Sequence, residues 1–507
     1  MERLKKLHTP CAHPDAWLAK KGWYRSQVEQ NIHAARSTAD SEPPLPMAEG
    51  PPMSVMHTVE PSNRVIVDHF RCPDGFTNVG VWGELSREPG FFEFGSELIC
   101  YGKCSAFVPS RSIKGNLHDA LEYARVDQGT VSLPFHVSEV VEALRREKYT
   151  TALGDGARKW SRNRFSRMGY YLVRPLLSVS VRKHLQRLSL RGWDKLPFPR
   201  WPVDTTVEQI LESTVVLILR ERKDQTIPFI WFWPEGKQAC AVITHDVETT
   251  VGKDLSEAIM DVDDSFGIKA SFQVVPERRY RVSGSYLTSI PQRGFEVNVQ
   301  DLNHDGRLFD NYEEFQRRAK AINKYAGLFK ARGFRSAVLY RNADWLNSLC
   351  FEYDMSIPNV AHLDPQRGGC CTVFPFFVGE ILEIPVTTTQ DYTLFHILRD
   401  YSLDLWREQT SRILKRHGVM NFIIHPDYVT RDREMHVFKD LLAYLAEVRA
   451  KAGLWIPLPN ELNQWWRQRS RMQIVKSGNG WEIVGEGKER ARLAYARLEN
   501  GKLIYDF

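Results

Sequence analysis

Cysteine is scarce here, with eight in 507 residues, none in the paired spacing of a metal-ligand cluster. That argues against a disulfide framework and suits a reducing compartment. Long apolar runs are missing as well: no stretch approaches the roughly eighteen residues needed to span a bilayer. The N-terminal MERLKKLHTPCAHPDAW carries early positive charge but no apolar core of secretory-signal length. Excess charge of one sign is also small. Against 68 basic residues stand 62 acidic ones, a net of +6, and no nucleic-acid-binding motif accompanies it. The expectation is a cytoplasmic protein that neither spans a membrane nor binds nucleic acid.

Apolar residues at 43% and charged residues at 26% are ordinary globular usage. A chain of this length exceeds what one core usually organises, so several domains are expected. Residues 1–62 read as a disordered or linker appendage, because STADSEPPLPMAEGPPMSVMHTVEPS is rich in Pro, Ser and acid and carries little periodic apolar content. Residues 63–155 read as an α+β domain of unknown role. RVIVDHF, GVWGEL, FFEFGSELICYG and SAFVPS look like strands, and HDALEYARVD and HVSEVVEALRREKY have helical periodicity.

Residues 156–230 form a basic helical connector. Within 157–200 twelve basic side chains meet a single acid, Asp194. The segment reads either as a solvated face at a domain junction or as a contact with an anionic glycan or an anionic membrane surface, which would hold the chain peripherally at the inner membrane face. TTVEQILESTVVLILRER, with Thr205 or Thr206 as N-cap and Glu208 nearby, predicts a helix leading into the next domain.

Over 231–460 strand and helix patterns alternate, from ACAVITHDVE through KASFQVV, FEVNVQDLNHD, SAVLY and GEILEIPVT to MNFIIHPDY. Repeated β-then-α units predict a parallel sheet, and this many suit a barrel. Residues 461–507 read as a small β appendage with Gly-Asn-Gly and Glu-Asn-Gly turns. It either closes the barrel, binds glycan through its aromatic residues, or caps the fold.

Reactive groups in such a domain gather at the C-terminal ends of the strands. Asp246 and Glu248, two apart, project to the same side of a continuing strand. Gln300 and His304, four apart, would share one side of a helical turn and suit a single ion. Arg341 stands at the next predicted strand end, and His425 arrives with Asp427 close by, an imidazole with a carboxylate to orient it.

The order THDVE, QDLNHDG, YRNAD, EIPVTTTQDY, FIIHPDY resembles the five-motif layout of the polysaccharide deacetylase family, also called the NodB-homology or carbohydrate esterase family 4 domain, over residues 231–457. The first motif is similar to that of a T-H-D-V-D/E branch of exopolysaccharide-linked deacetylase-like proteins. The resemblance implies a distorted (β/α)7 barrel, a divalent ion (usually zinc, with cobalt, nickel or manganese as alternatives) and hydrolysis of N-acetyl groups on the amino sugars of a polysaccharide or oligosaccharide. Carried over residue by residue, it makes Asp246 the catalytic base, Glu248 the metal carboxylate that is normally Asp, and His304 a metal histidine. Arg341 would steer the base, Asp391 tune the acid, and His425 be that acid. Gln300 departs from the pattern, which has His there; its amide oxygen is a neutral and harder donor than imidazole, so zinc affinity should fall. Two alternatives accompany the hydrolase reading: a metal-impaired pseudoenzyme that binds glycan or scaffolds polysaccharide assembly, and a hydrolase of some other amide.

Overall fold

The computed structural model describes residues 63–95, 97–127, 130–153, 187–188, 190–222 and 226–507. The appendage expected over 1–62 lies outside the described residues, as does the 157–186 part of the basic segment. Among the described residues no helix is long and apolar enough to cross a membrane.

The chain enters with helix α1 (Arg64–Phe70), where a strand was expected. Val65, Ile66, His69 and Phe70 are buried, a helical spacing that an eye tuned to β-branched residues misses. Strands β1 (Val79–Val81), β2 (Gly90–Glu93), β3 (Ile99–Gly102), β4 (Arg125–Asp127) and β5 (Thr130–Leu133) follow, then helix α2 (Val137–Arg145). β1 runs parallel to β5 and β4 antiparallel to it, while β2 and β3 form a separate antiparallel pair. The helix expected over HDALEYARVD is instead a short 3-10 turn, Ala120–Tyr123, running into β4. The Asp119 carboxylate accepts from the Leu121 N–H, which ends the extended chain before the turn.

Helix α3 (Thr206–Glu221) buries Val207, Ile210, Leu211, Val215, Ile218 and Leu219 along one face. Thr205 occupies its N-cap position without a side-chain capping bond, its hydroxyl accepting instead from Gln209 Nε2 at 2.9 Å, and Asp204 performs the capping by accepting from the Thr206 N–H at 2.8 Å.

Next come β6 (Ile227–Ile230), β7 (Ala239–Val247), α4 (Thr250–Ser265), β8 (Ser271–Val274), α5 (Gly284–Gln292), β9 (Glu296–Gln300), α6 (Tyr312–Phe329), β10 (Gly333–Arg335), β11 (Tyr353–Asp354), β12 (Phe376–Val378), β13 (Ile381–Glu383), α7 (Asp404–Leu414), β14 (Val419–Ile424), α8 (Asp432–Ala452), β15 (Leu454–Trp455) and α9 (Pro459–Arg471). Thr249, Ser283 and Asn311 cap α4, α5 and α6 through their side-chain oxygens.

The main sheet runs in the order β12, β13, β11, β10, β9, β8, β7, β14, with β15 beside β7. Every pairing is parallel except β12 with β13. This is a mixed α/β protein whose parallel sheet curls into a half-barrel. Where a closed barrel would continue the ladder, side chains bridge the seam. The Thr387 and Thr388 hydroxyls donate to the Val419 and Asn421 carbonyls, each at 2.7 Å. The strand expected at SAVLY is replaced by β10 just before it, because Val338 and Leu339 take positive φ of 59° and 54° and break the extended chain.

Finally β16 (Gln473–Ser477) pairs with β17 (Gly480–Val484), and β18 (Leu493–Glu499) pairs with β19 (Lys502–Asp506) and β6. None of these four strands joins the main sheet. Buried Arg469 of α9 donates to the carbonyls of His69, Ile230 and Trp231, tying α1, β6 and α9 together.

Candidate functional site

β7 is buried along its whole length, and its period of two decides what each side chain meets. Thr244 and Asp246 face the barrel interior, where the Arg335 Nη1 donates to the Thr244 hydroxyl and to Asp246 Oδ1, both at 2.8 Å. His245, between them, points the other way, its Nε2 lying 2.9 Å from Asp263 Oδ2 of α4. Continuing the same alternation, Glu248 returns to the inner side. The Gln300 Nε2 donates to Asp246 Oδ2 at 3.1 Å and to Glu248 Oε1 at 3.2 Å, so the two carboxylates share one neighbour.

Gln300 ends β9, in register with Arg335 on β10. His304 is not on a helical turn with it. The chain bends at Asp301 and His304, with φ of 50° and 54°, and that loop swings the His304 imidazole round to put Nε2 2.7 Å from Glu248 Oε1. On the opposite side His425, just past β14, holds Nε2 3.4 Å from the same oxygen. Asp391 grips His425 twice: its Oδ1 lies 2.6 Å from Nδ1, and its Oδ2 accepts the His425 N–H at 2.7 Å. Asp427 does not orient the imidazole; it accepts from the Thr249 hydroxyl at 3.1 Å.

Arg341 stands apart from this group. Its guanidinium forms a buried pair with Glu147, with Nε donating to Glu147 Oε2 at 2.7 Å and Nη1 to the Leu339 carbonyl at 2.9 Å. The arginine that touches Asp246 is Arg335, which the sequence reading did not single out. No pattern in the sequence marked it: β10 is three residues long, and the left-handed break at Val338 that ends the extended chain beyond Arg335 is a feature of the folded backbone.

Electrostatics separate the acids from the base. Burial pushes the Asp246 carboxyl above its ordinary value, against the opposing pull of Arg335. For Glu248 burial would do the same, but His304 and His425 hold it well below the usual carboxylate range. Burial alone would lower the His425 imidazole, yet Asp391 and Glu248 raise it well above the ordinary histidine value. A buried carboxyl that binds a proton more readily and an imidazole that stays charged have the properties a general base and a general acid require.

A divalent ion fits these donors. The ligand-type atoms of Asp246, Glu248 and His425 lie within 4.8 Å of one another, and of the three Glu248 is the one engaged by neither Arg335 nor Asp391. His304 Nε2 adjoins Glu248, and Gln300 Oε1 is buried without a hydrogen-bond donor among the described residues. Carboxylate, imidazole and amide oxygen form a set suited to zinc or a somewhat harder ion.

No protein-family model matches the sequence, and no curated protein matches it. Solved structures similar to this chain include polysaccharide deacetylases, carbohydrate esterase family 4 domains and an allantoinase. A polysaccharide deacetylase from Mycobacterium smegmatis is 15% identical, with a TM-score of 0.39, over 50% of this chain and 98% of its own. The PuuE allantoinase is 9% identical, TM-score 0.36, over 46% of this chain and 92% of its own. A carbohydrate esterase family 4 pseudoenzyme from Bacillus anthracis is 14% identical, TM-score 0.27, over 45% of this chain and 66% of its own.

Proposed function

We propose that this chain is a metal-dependent hydrolase that removes N-acetyl groups from amino sugars of a polysaccharide or oligosaccharide. The observation that carries the reading is the pair of opposed dyads, Asp246 with Arg335 and His425 with Asp391, flanking Glu248 at the C-terminal rim of the curled sheet. The motif order over 231–457 supports the same assignment.

In this reading Asp246 takes a proton from the attacking water, and Arg335 fixes the direction of its carboxylate. His425 delivers a proton to the amide nitrogen as the C–N bond breaks, since an unprotonated amine leaves poorly. Asp391 keeps that imidazole charged and turned toward the cleft. Glu248, His304 and, with its amide turned over, the Gln300 oxygen would hold the ion, which supplies polarisation of the acyl oxygen and a more acidic water when bound. Zinc is the first choice, with cobalt, nickel or manganese as alternatives.

One observation favours a second reading, a metal-impaired glycan-binding scaffold. The Gln300 amide donates to both Asp246 and Glu248, the place where positive charge would otherwise be needed. Titration calorimetry with zinc, cobalt and manganese on wild type and Gln300→His separates the two. The hydrolase reading expects measurable binding by wild type, about tenfold or more tighter zinc binding in Gln300→His, and acetate release from chitooligosaccharides by the loaded protein. Absence of ion binding and of acetate in both proteins would leave the scaffold.

A further inference from the structure

Beneath the site, β10, β11 and β13 carry charge inward where a barrel core is ordinarily apolar. Arg335, Asp354 and Glu383 are 0%, 1% and 0% exposed. Asp354 and Glu383 are register partners on neighbouring parallel strands, which sets their carboxyl groups side by side. One oxygen of each has a donor: the Ser356 hydroxyl donates to Asp354 Oδ1 at 2.6 Å, and the Ile357 N–H to Glu383 Oε1 at 2.9 Å. Asp354 Oδ2 and Glu383 Oε2 are buried with no N–H or O–H donor among the described residues. Two buried carboxyl groups on register partners, each with an oxygen lacking a donor, call for a proton, because adjacent buried carboxylates cannot both ionise.

The charged and titratable groups facing this pair are Arg335 from β10 and the Cys370 thiol near Glu383, with Asp246 of β7 beyond the guanidinium. Arg335 is fully engaged on its Asp246 side. Its Nε donates to the Met355 carbonyl at 3.0 Å and its Nη1 to Thr244 and Asp246, whereas Nη2 has no acceptor among the described residues.

We propose that Asp354 and Glu383 hold one proton between them, and that this singly charged pair is the positioning element that keeps Arg335 turned onto Asp246. With both ionised, two carboxylates would pull the free Nη2 edge away from Asp246 and leave uncompensated charge in the interior. With the proton shared, the pair balances the guanidinium without outbidding Asp246. Burial drives both carboxyls toward holding a proton, as the arrangement requires. The positioning role rests on reading Asp246 as the base; the shared proton does not.

Infrared difference spectroscopy of the full chain at neutral pH reads the proton directly. The expected result is a carboxylic-acid C=O band that shifts in heavy water and is lost in the Asp354→Asn/Glu383→Gln double variant. No such band in folded wild type overturns the proposal, whatever the variants do. The positioning arm compares acetate release. Glu383→Ala should lower kcat about tenfold with KM unchanged, and Glu383→Gln, which mimics the protonated member, should recover most of it. Equal losses in the two would overturn the positioning role. A wild type with the band and no acetate release keeps the shared proton and removes the hydrolase reading.

Discussion

Arg335 and Arg341 sit in the same stretch of sequence but do different work. Arg335 is wholly buried against Asp246, and its removal leaves a buried carboxylate without its guanidinium. Arg335→Gln should therefore cost about a hundredfold in kcat, with metal binding retained. Arg341 is paired with Glu147, far away in sequence. Arg341→Gln should instead cost stability, on the order of 3 kcal/mol, because the buried Glu147 loses its partner. Steady-state kinetics beside urea denaturation of the two variants checks the contrast, and the reverse pattern would return the steering role to Arg341. The residues legible in sequence were those that sit on or next to a long strand. Asp246, Glu248 and His425 follow directly from β7 and β14, and Asp391 from the motif order. Arg335 was not, because β10 is only three residues long and the apolar SAVLY beside it reads more like a strand than β10 does.

Elements with a strong period were read correctly, and those shaped by a distant partner were not. Helix α3 shows both outcomes. Its apolar face was plain, but Glu208, noted only as lying near the N-cap, is buried, where it accepts from the Thr372 hydroxyl and the Val373 N–H. Burial raises its carboxyl to about 7 from an ordinary 4.5, against the pull of Thr372 and Arg145. The folded chain thus keeps this proton to higher pH than the unfolded chain does. Its stabilising contribution is complete below about 4.5 and is lost as pH rises to about 7. Glu208→Gln removes that dependence, so over this interval the variant should gain on the order of 3 kcal/mol relative to wild type. Denaturant titrations at the two ends of the interval measure it, and parallel curves for both proteins would contradict the assignment. α1 and the Ala120–Tyr123 turn were misread for a related reason: short segments take their conformation from what they pack on, here α1 on α2 and on Arg469 of α9.

At the scale of the whole molecule, the alternating β and α pattern correctly predicted a parallel sheet, while its incomplete closure was invisible, since the seam is held by the hydroxyls of Thr387 and Thr388 rather than by a strand ladder. That seam lies between β13 and β14, the segment that also carries Asp391 to His425. β14, whose end carries His425, pairs directly with β7, which carries Asp246, and the curl of the sheet brings Arg335 across from β10 in its middle to meet Asp246. The account stands or falls on whether those dyads hydrolyse an amide. The most direct measurement is acetate release from an N-acetylated chitooligosaccharide by the cobalt- or zinc-loaded full chain, run beside Asp246→Asn. The account predicts release by wild type and a loss of about a hundredfold or more in Asp246→Asn. Equal release by the two, or none from a wild type shown to hold the ion, would contradict it.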